Sequence, residues 1–183
     1  MLIETRNLIL RDYREPDKEK LSLICSDSVI MKLVLNGPNP PGQFNRFVTD
    51  NFASKEQKIG LGTLCLKENN MVIGFAGFKK FNFYKSNTGE VEFGFVIHND
   101  WHGKGFATEI GKAQIYYALN NLGLKTVFAR AHPLNDPSIH VLKDKLELMQ
   151  VSEDVVENRL TFMTTERHHE NDYYLAITKP FAK

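Results

Sequence analysis

Cysteine is scarce in this chain: Cys25 and Cys65 are the only two among 183 residues, and no metal-like spacing relates them. Such a pair gives no disulfide framework, and two reduced thiols of a cytosolic protein is the simplest reading. There is no Cys-x-x-Cys pair, and no metal is expected. Net charge is nearly absent as well, since 23 basic residues stand against 22 acidic ones. That balance asks for no nucleic acid partner. No apolar run approaches the roughly 20 residues that span a bilayer. The opening Met-Leu-Ile-Glu-Thr-Arg lacks the pattern of a secretory signal, so a cytoplasmic location is expected. Repeats, low-complexity tracts and linkers are also missing, which predicts one domain over residues 1–183.

Two phosphate-binding motifs are excluded on spacing. A Walker A loop needs glycine five residues before a Gly-Lys pair and Ser or Thr after it. Around Gly103-Lys104 those places hold His98 and Gly105. A dinucleotide-binding turn needs a third glycine, and Phe106 follows Gly105 instead.

What is present is Trp-His-Gly-Lys-Gly-Phe-Ala-Thr at residues 101–108, between a strand-like run ending at Ile97 and a segment of helical periodicity. Glycines at alternate positions, feeding into a helix start, expose unpaired main-chain N–H groups at the positive end of the helix dipole. That arrangement suits an anion such as a diphosphate.

Periodicity supplies the remaining elements. A strand is expected over Thr5 to Tyr13 and a helix over Glu15 to Cys25. The Gly-Pro-Asn-Pro-Pro-Gly run at 37–42 breaks the chain. Phe44, Phe47, Val48 and Phe52 then repeat at helical spacing. Strands follow over Ile59 to Lys67, Val72 to Lys80 and Gly89 to His98, with Val91, Phe93, Phe95 and Ile97 on one face. A long helix is expected from Gly103 to Leu122, with Gly123 as its C′ cap. A short strand over Val127 to Ala131 comes next. Asn135-Asp136-Pro137 starts a helix that buries Ile139, Leu142 and Leu146. Two last strands are placed near Arg159–Glu166 and Tyr173–Thr178. The fold class is a mixed α/β sheet.

The strand, the His-Gly-Lys-Gly-Phe-Ala-Thr-Glu turn and its helix resemble the acyl-CoA signature of the GNAT superfamily of N-acetyltransferases. Gly105 and Ala107 fill its last fixed places, and His102 replaces its usual Gln or Arg. The opening Glu-Thr-Arg-Asn-Leu-Ile-Leu-Arg is similar to the first strand of the branch containing the RimJ and RimL ribosomal-protein acetyltransferases. So is Asn135-x-x-Ser138 before a helix ending Lys145-Leu146. Glu147 stands where that branch commonly has a helix-ending glycine.

The resemblance implies a central, mostly antiparallel, split sheet flanked by helices, and acetyl-CoA as cosubstrate. Gly103, Lys104, Gly105, Phe106, Ala107 and Thr108 would hold the diphosphate. Phe95, Val96 and Ile97 would pair with the pantetheine arm, and Asn135 would bond its amide or serve only as a helix cap. Ser138 falls where a hydroxyl protonates the departing thiolate; its alternative is a solvent-facing serine. Glu92 resembles a general base, with a cross-strand partner for a lysine or arginine as the alternative. His98, His132 and His140 are rival bases. The Phe81-Asn82-Phe83-Tyr84 cluster and the Phe44, Phe47 and Phe52 stripe would line an acceptor groove or belong to the core.

The acceptor implied is a primary amine, a protein N-terminus by likeness to RimJ and RimL. Small amines such as polyamines, amino acids or aminoglycosides remain open, as does a non-catalytic acyl-CoA sensor. Monomer and homodimer are both compatible with the sequence.

Overall fold

A computed structural model describes residues 2–34, 37–40, 42–53, 59–80, 91–154 and 159–165, with side chains for all but 152–154, 159 and 165. The described strands are β1 (Leu2–Glu4), β2 (Leu8–Arg11), β3 (Leu61–Leu66), β4 (Val72–Lys80), β5 (Val91–Ile97), β6 (Thr126–Ala131), β7 (Met149–Asp154) and β8 (Arg159–Thr165). The helices are α1 (Lys18–Ser26), α2 (Phe44–Asn51), α3 (Phe106–Tyr116) and α4 (Asp136–His140). The strands form one sheet in the order β1-β2-β3-β4-β5-β6-β8-β7. Every neighbour is antiparallel except β5 and β6. The predicted mixed, mostly antiparallel sheet flanked by helices is therefore observed.

The N-terminal expectation needs correction. In place of one strand from Thr5 to Tyr13 there are two, β1 and β2, paired as a hairpin with Ile3 opposite Leu10. Thr5 makes the turn, its N–H donating to Leu8 O at 2.9 Å and its hydroxyl accepting from Leu8 N at 2.9 Å. A carboxylate from α3 locks that turn: Glu109 accepts from the Thr5 hydroxyl, from Asn7 N at 2.7 Å and from Asn7 Nδ2 at 2.8 Å. The predicted helix at Glu15 begins as a 3-10 turn, Glu15–Asp17, before α1.

The two apolar faces of the sheet are covered separately. On one, Val91, Phe93 and Ile97 of β5 join Ile110, Ile115 and Ala118 from the α3 segment and Leu142 and Leu146 in a single core. Gly111 lets the helices approach, since a Cβ there would lie 2.6 Å from a Leu146 methyl. On the other, Val96 and Phe75 pack with Leu21, Ile24, Phe44 and Phe52 from α1, α2 and the end of α2.

α3 is shorter than the periodicity implies. It gives way at Tyr117 to a wider π turn through Asn121, and Gly123 caps it with a φ of 69°. α4 likewise opens into a π turn over Val141–Lys145. Glu147 then takes the left-handed conformation, φ 54°, in the position where glycine was expected. β7 has no counterpart among the expected strands, and the predicted strand at Tyr173–Thr178 lies outside the described residues.

Candidate active site

The site grows from a defect in the sheet. β5 and β6 are paired only at Val91 with Val127 and Glu92 with Phe128, and beyond these the two parallel strands part. His98 N donates to Ile73 O at 2.8 Å, which sets the phase of the antiparallel β4–β5 ladder. By alternation, Glu92, Gly94 and Val96 spend their main-chain groups on β4. Those of Phe95 and Ile97 face the gap. An open main-chain edge of this kind is ready to pair with an extended ligand, as in strand addition.

The gap leads to the turn at residues 102–105. Gly103 and Gly105 both have left-handed φ, 73° and 80°, and no atom lies within 4 Å of a Cβ built on either. Gly105 is the N-cap of α3, and its carbonyl accepts from Glu109 N at 3.0 Å. The N–H groups of Phe106, Ala107 and Thr108 precede the first helical acceptor and so have no partner within the helix. The turn is exposed, and Lys104 reaches back over Trp101, 5.7 Å from its ring. His102, in the place of the usual Gln or Arg, lays Nε2 2.8 Å from Ile97 O and so ties the turn to the end of β5.

A cavity of about 810 Å³ opens beside the gap. From the sequence-predicted set it gathers Glu92, Phe95, Val96, Asn135 and Ser138. Asn135 caps α4, its Oδ1 accepting from Ser138 N at 3.3 Å. This bond uses the serine main chain and leaves its half-buried hydroxyl for other work. Glu92 is held by Arg130 of β6, Oε2 to Nε 2.9 Å, with side chains 18% and 20% exposed. That is the cross-strand partner the sequence offered as its alternative. Lys79 stands directly opposite Glu92 across β4.

The remaining candidates fall elsewhere. Phe47 lines the cavity with Phe75, whereas Phe44 and Phe52 are buried in the second core. Phe81 to Tyr84 lie outside the described residues. His98 Nδ1 accepts from Asp100 N at 3.3 Å, His132 Nδ1 accepts from Leu134 N at 3.1 Å, and exposed His140 pairs with Asp144. None of the three lines the cavity. Cys25 does line it, but burial pushes its thiol up to about 12, so it is not a nucleophile near neutrality. Among the described residues no cluster of His, Cys, Asp or Glu could hold a metal, and no helix is long and apolar enough to cross a membrane.

Three residues escaped the sequence reading. Arg130 is the one charge in β6, beside a strand whose one charge is Glu92. Gly94 leaves an open space in the cavity wall. Gln114, fully buried in α3, donates from Nε2 to Gly77 O at 2.8 Å and to Gly94 O at 3.2 Å.

Known proteins resemble this chain in sequence and in fold. Residues 7–144 match the family described as acetyltransferase (GNAT) domain. The Bacillus subtilis protein named uncharacterized N-acetyltransferase YnaD is 27% identical over 143 residues, covering 78% of this chain and 80% of that protein. A Bacillus anthracis GNAT-family acetyltransferase structure superposes with a TM-score of 0.77 at 23% identity, over 91% of this chain and 99% of that one. Spermidine N-acetyltransferase from Vibrio cholerae, in complex with CoA and spermine, gives 0.75 at 15% identity, over 90% and 98%. RimL, the ribosomal L7/L12 alpha-N-protein acetyltransferase in complex with coenzyme A, gives 0.71 at 12%, over 90% and 98%. The last two share this fold, one named for spermidine and the other for a ribosomal protein.

Proposed function

This chain belongs to the GNAT acetyltransferase family and is an acetyl-CoA-dependent N-acetyltransferase, and from that premise we propose that it acetylates a protein N-terminal amine by direct transfer in a ternary complex. The observation that carries the reading is the open edge of β5, which runs from the alternating left-handed glycines into the cavity holding Glu92, Asn135 and Ser138.

Bound acetyl-CoA supplies a thioester carbonyl as electrophile. Gly103, Lys104, Gly105, Phe106, Ala107 and Thr108 hold the diphosphate, chiefly through main-chain N–H groups. Phe95, Val96 and Ile97 flank the pantetheine arm, with Phe95 contributing its main-chain groups and Ile97 its N–H, since the Ile97 carbonyl is taken by His102. Asn135, its Oδ1 engaged in the cap, offers Nδ2 to a pantetheine carbonyl. Glu92, directly or through one water, takes the proton of the attacking amine. As the C–N bond forms, the Phe95 N–H meets the developing oxyanion. Ser138 gives a proton to the sulfur as the C–S bond breaks, and the proton taken up by Glu92 restores the serine hydroxyl by way of solvent.

The charge of the cavity favours a single amine over a polycation. Among the described lining residues the ionised side chains are Glu92, Arg130 and Lys79, and the one carboxylate is already paired. Among these described residues a polyamine finds no series of carboxylates. Three carboxamides, Asn39, Gln43 and Asn51, suit a peptide main chain instead. Free CoA released from acetyl-CoA with N-terminal peptides, spermidine and free amino acids tests this. Peptides should give the highest kcat/KM. Preference for spermidine would overturn the acceptor, and saturable binding without turnover on any amine would indicate a sensor.

A further inference from the structure

Gln114 sits in an apolar seam, flanked one helical turn away on either side by Ile110 and Ala118 of the main core. Its amide donates to two carbonyls, Gly77 O and Gly94 O, which belong to one register pair of the β4–β5 ladder. In the phase set by His98 and Ile73, each of these carbonyls already accepts its partner's N–H. The sheet is therefore satisfied without Gln114. Its own Oε1 meanwhile has no hydrogen-bond partner, a standing cost that an apolar side chain in the same place would not carry.

The use of the amide lies on the other side of the peptide it touches. Gly94 C=O and Phe95 N–H belong to the same planar unit and point in opposite directions. One is bonded to Gln114, and the other faces the gap between β5 and β6. Gly94 has nothing near its missing side chain, so no packing on the cavity side steadies this peptide. A donor on the carbonyl limits its tilt and makes the N–H a stronger donor, since linked hydrogen bonds polarise one another.

We propose that Gln114 is a positioning residue for acetyl transfer: from beneath the sheet it fixes and polarises the Gly94–Phe95 peptide, whose N–H meets the thioester oxygen. This rests on the acetyl-transfer reading above. One oxyanion donor is worth about 10²–10³-fold in kcat, and linkage strengthens a bond by about 10–30%, so the loss is about 2- to 8-fold.

Gln114→Met and Gln114→Leu test the idea, each measured for kcat, for KM toward acetyl-CoA, for Tm and for the Phe95 amide resonance. The expected result is a kcat lowered by that factor, KM and Tm close to the parent, and an upfield shift of the Phe95 proton. An unchanged kcat together with an unmoved resonance would overturn the proposal. So would a large loss of Tm in both variants, because the amide would then be a structural brace. Failure of the parent enzyme to release CoA with any amine would instead sink the acetyl-transfer reading, while the resonance still reports on the peptide.

Discussion

Replacing Gly105 by glutamate separates the grip on the diphosphate from every other part of the site. With φ at 80° and no atom within 4 Å of a built Cβ, the substitution meets no clash. Its folding cost is the left-handed backbone penalty of an L-residue, roughly 1–2 kcal/mol. The new carboxylate at the N-cap of α3 would stand about 6 Å from a diphosphate of charge about −2, a repulsion of roughly 1.5–3 kcal/mol for a solvent-exposed turn. Affinity for CoA should fall by about 10- to 100-fold. Raising salt to about 0.5 M should shrink the loss, because screening acts on exposed charges. The decisive assay compares kcat/KM for acetyl-CoA with that for S-acetyl-pantetheine, which has no diphosphate. Gly105→Glu should lower only the first. Gly105→Ala should share the Tm loss with a smaller effect on affinity. Equal losses for both thioesters, or an unchanged CoA affinity, would refute the placement of the diphosphate.

Three other predictions rest on particular contacts. Ser138→Ala keeps the Asn135 cap, which uses the serine N–H, and should lower kcat toward the low end of about 10²–10⁴-fold while KM for acetyl-CoA holds; an unchanged kcat removes the proton-donor role. Glu92→Gln should abolish most turnover and, with Arg130→Met, form a cycle: the double variant should regain the Tm lost in the singles but not the activity. Recovery of activity in the double variant would reduce Glu92 to a partner for Arg130. The third concerns Asp17, whose side chain is 5% exposed. Burial would raise its carboxyl, but the Arg11 guanidinium, the Arg14 N–H and the Thr63 hydroxyl outweigh it and hold the group below the usual carboxylate range. Its folded value is depressed, so the stability it contributes is present above the unfolded pKa of about 3.9 and fades as pH falls through the folded value. Asp17→Asn should flatten the fall in urea-derived stability below about pH 4; an unaltered acid limb would contradict it.

Where hydrophobic period and turn chemistry agree, the elements were legible. β4 takes in the apolar run from Val72 to Phe78, and the turn before it is held by Asn69 and by Asn70 at φ 58°. The β1–β2 hairpin was not legible, because its turn has neither glycine nor proline and is fastened by Glu109, about a hundred residues away. β7 reads Met-Gln-Val-Ser-Glu-Asp, last in the order of described strands and with too few apolar residues to show an alternation. The π turns after α3 and α4 leave no mark in a 3.6-residue period. In the site, the turn and the Asn135 cap could be found because their residue types are demanded by the backbone. Arg130 left a fainter signal, a lone cation in an apolar strand. Gln114 left one as well, a polar residue on the Ile110 and Ala118 stripe, but its partners are carbonyls and a sequence does not display those.

The account stands on where the coenzyme lies, and a crystal structure of the protein with CoA addresses that directly. The diphosphate should be within hydrogen-bond distance of main-chain N–H groups at residues 103–108, with pantetheine in the gap beside Phe95 and Ile97 and its sulfur in the cavity with Ser138. A coenzyme bound elsewhere, with that gap left empty, would contradict the account.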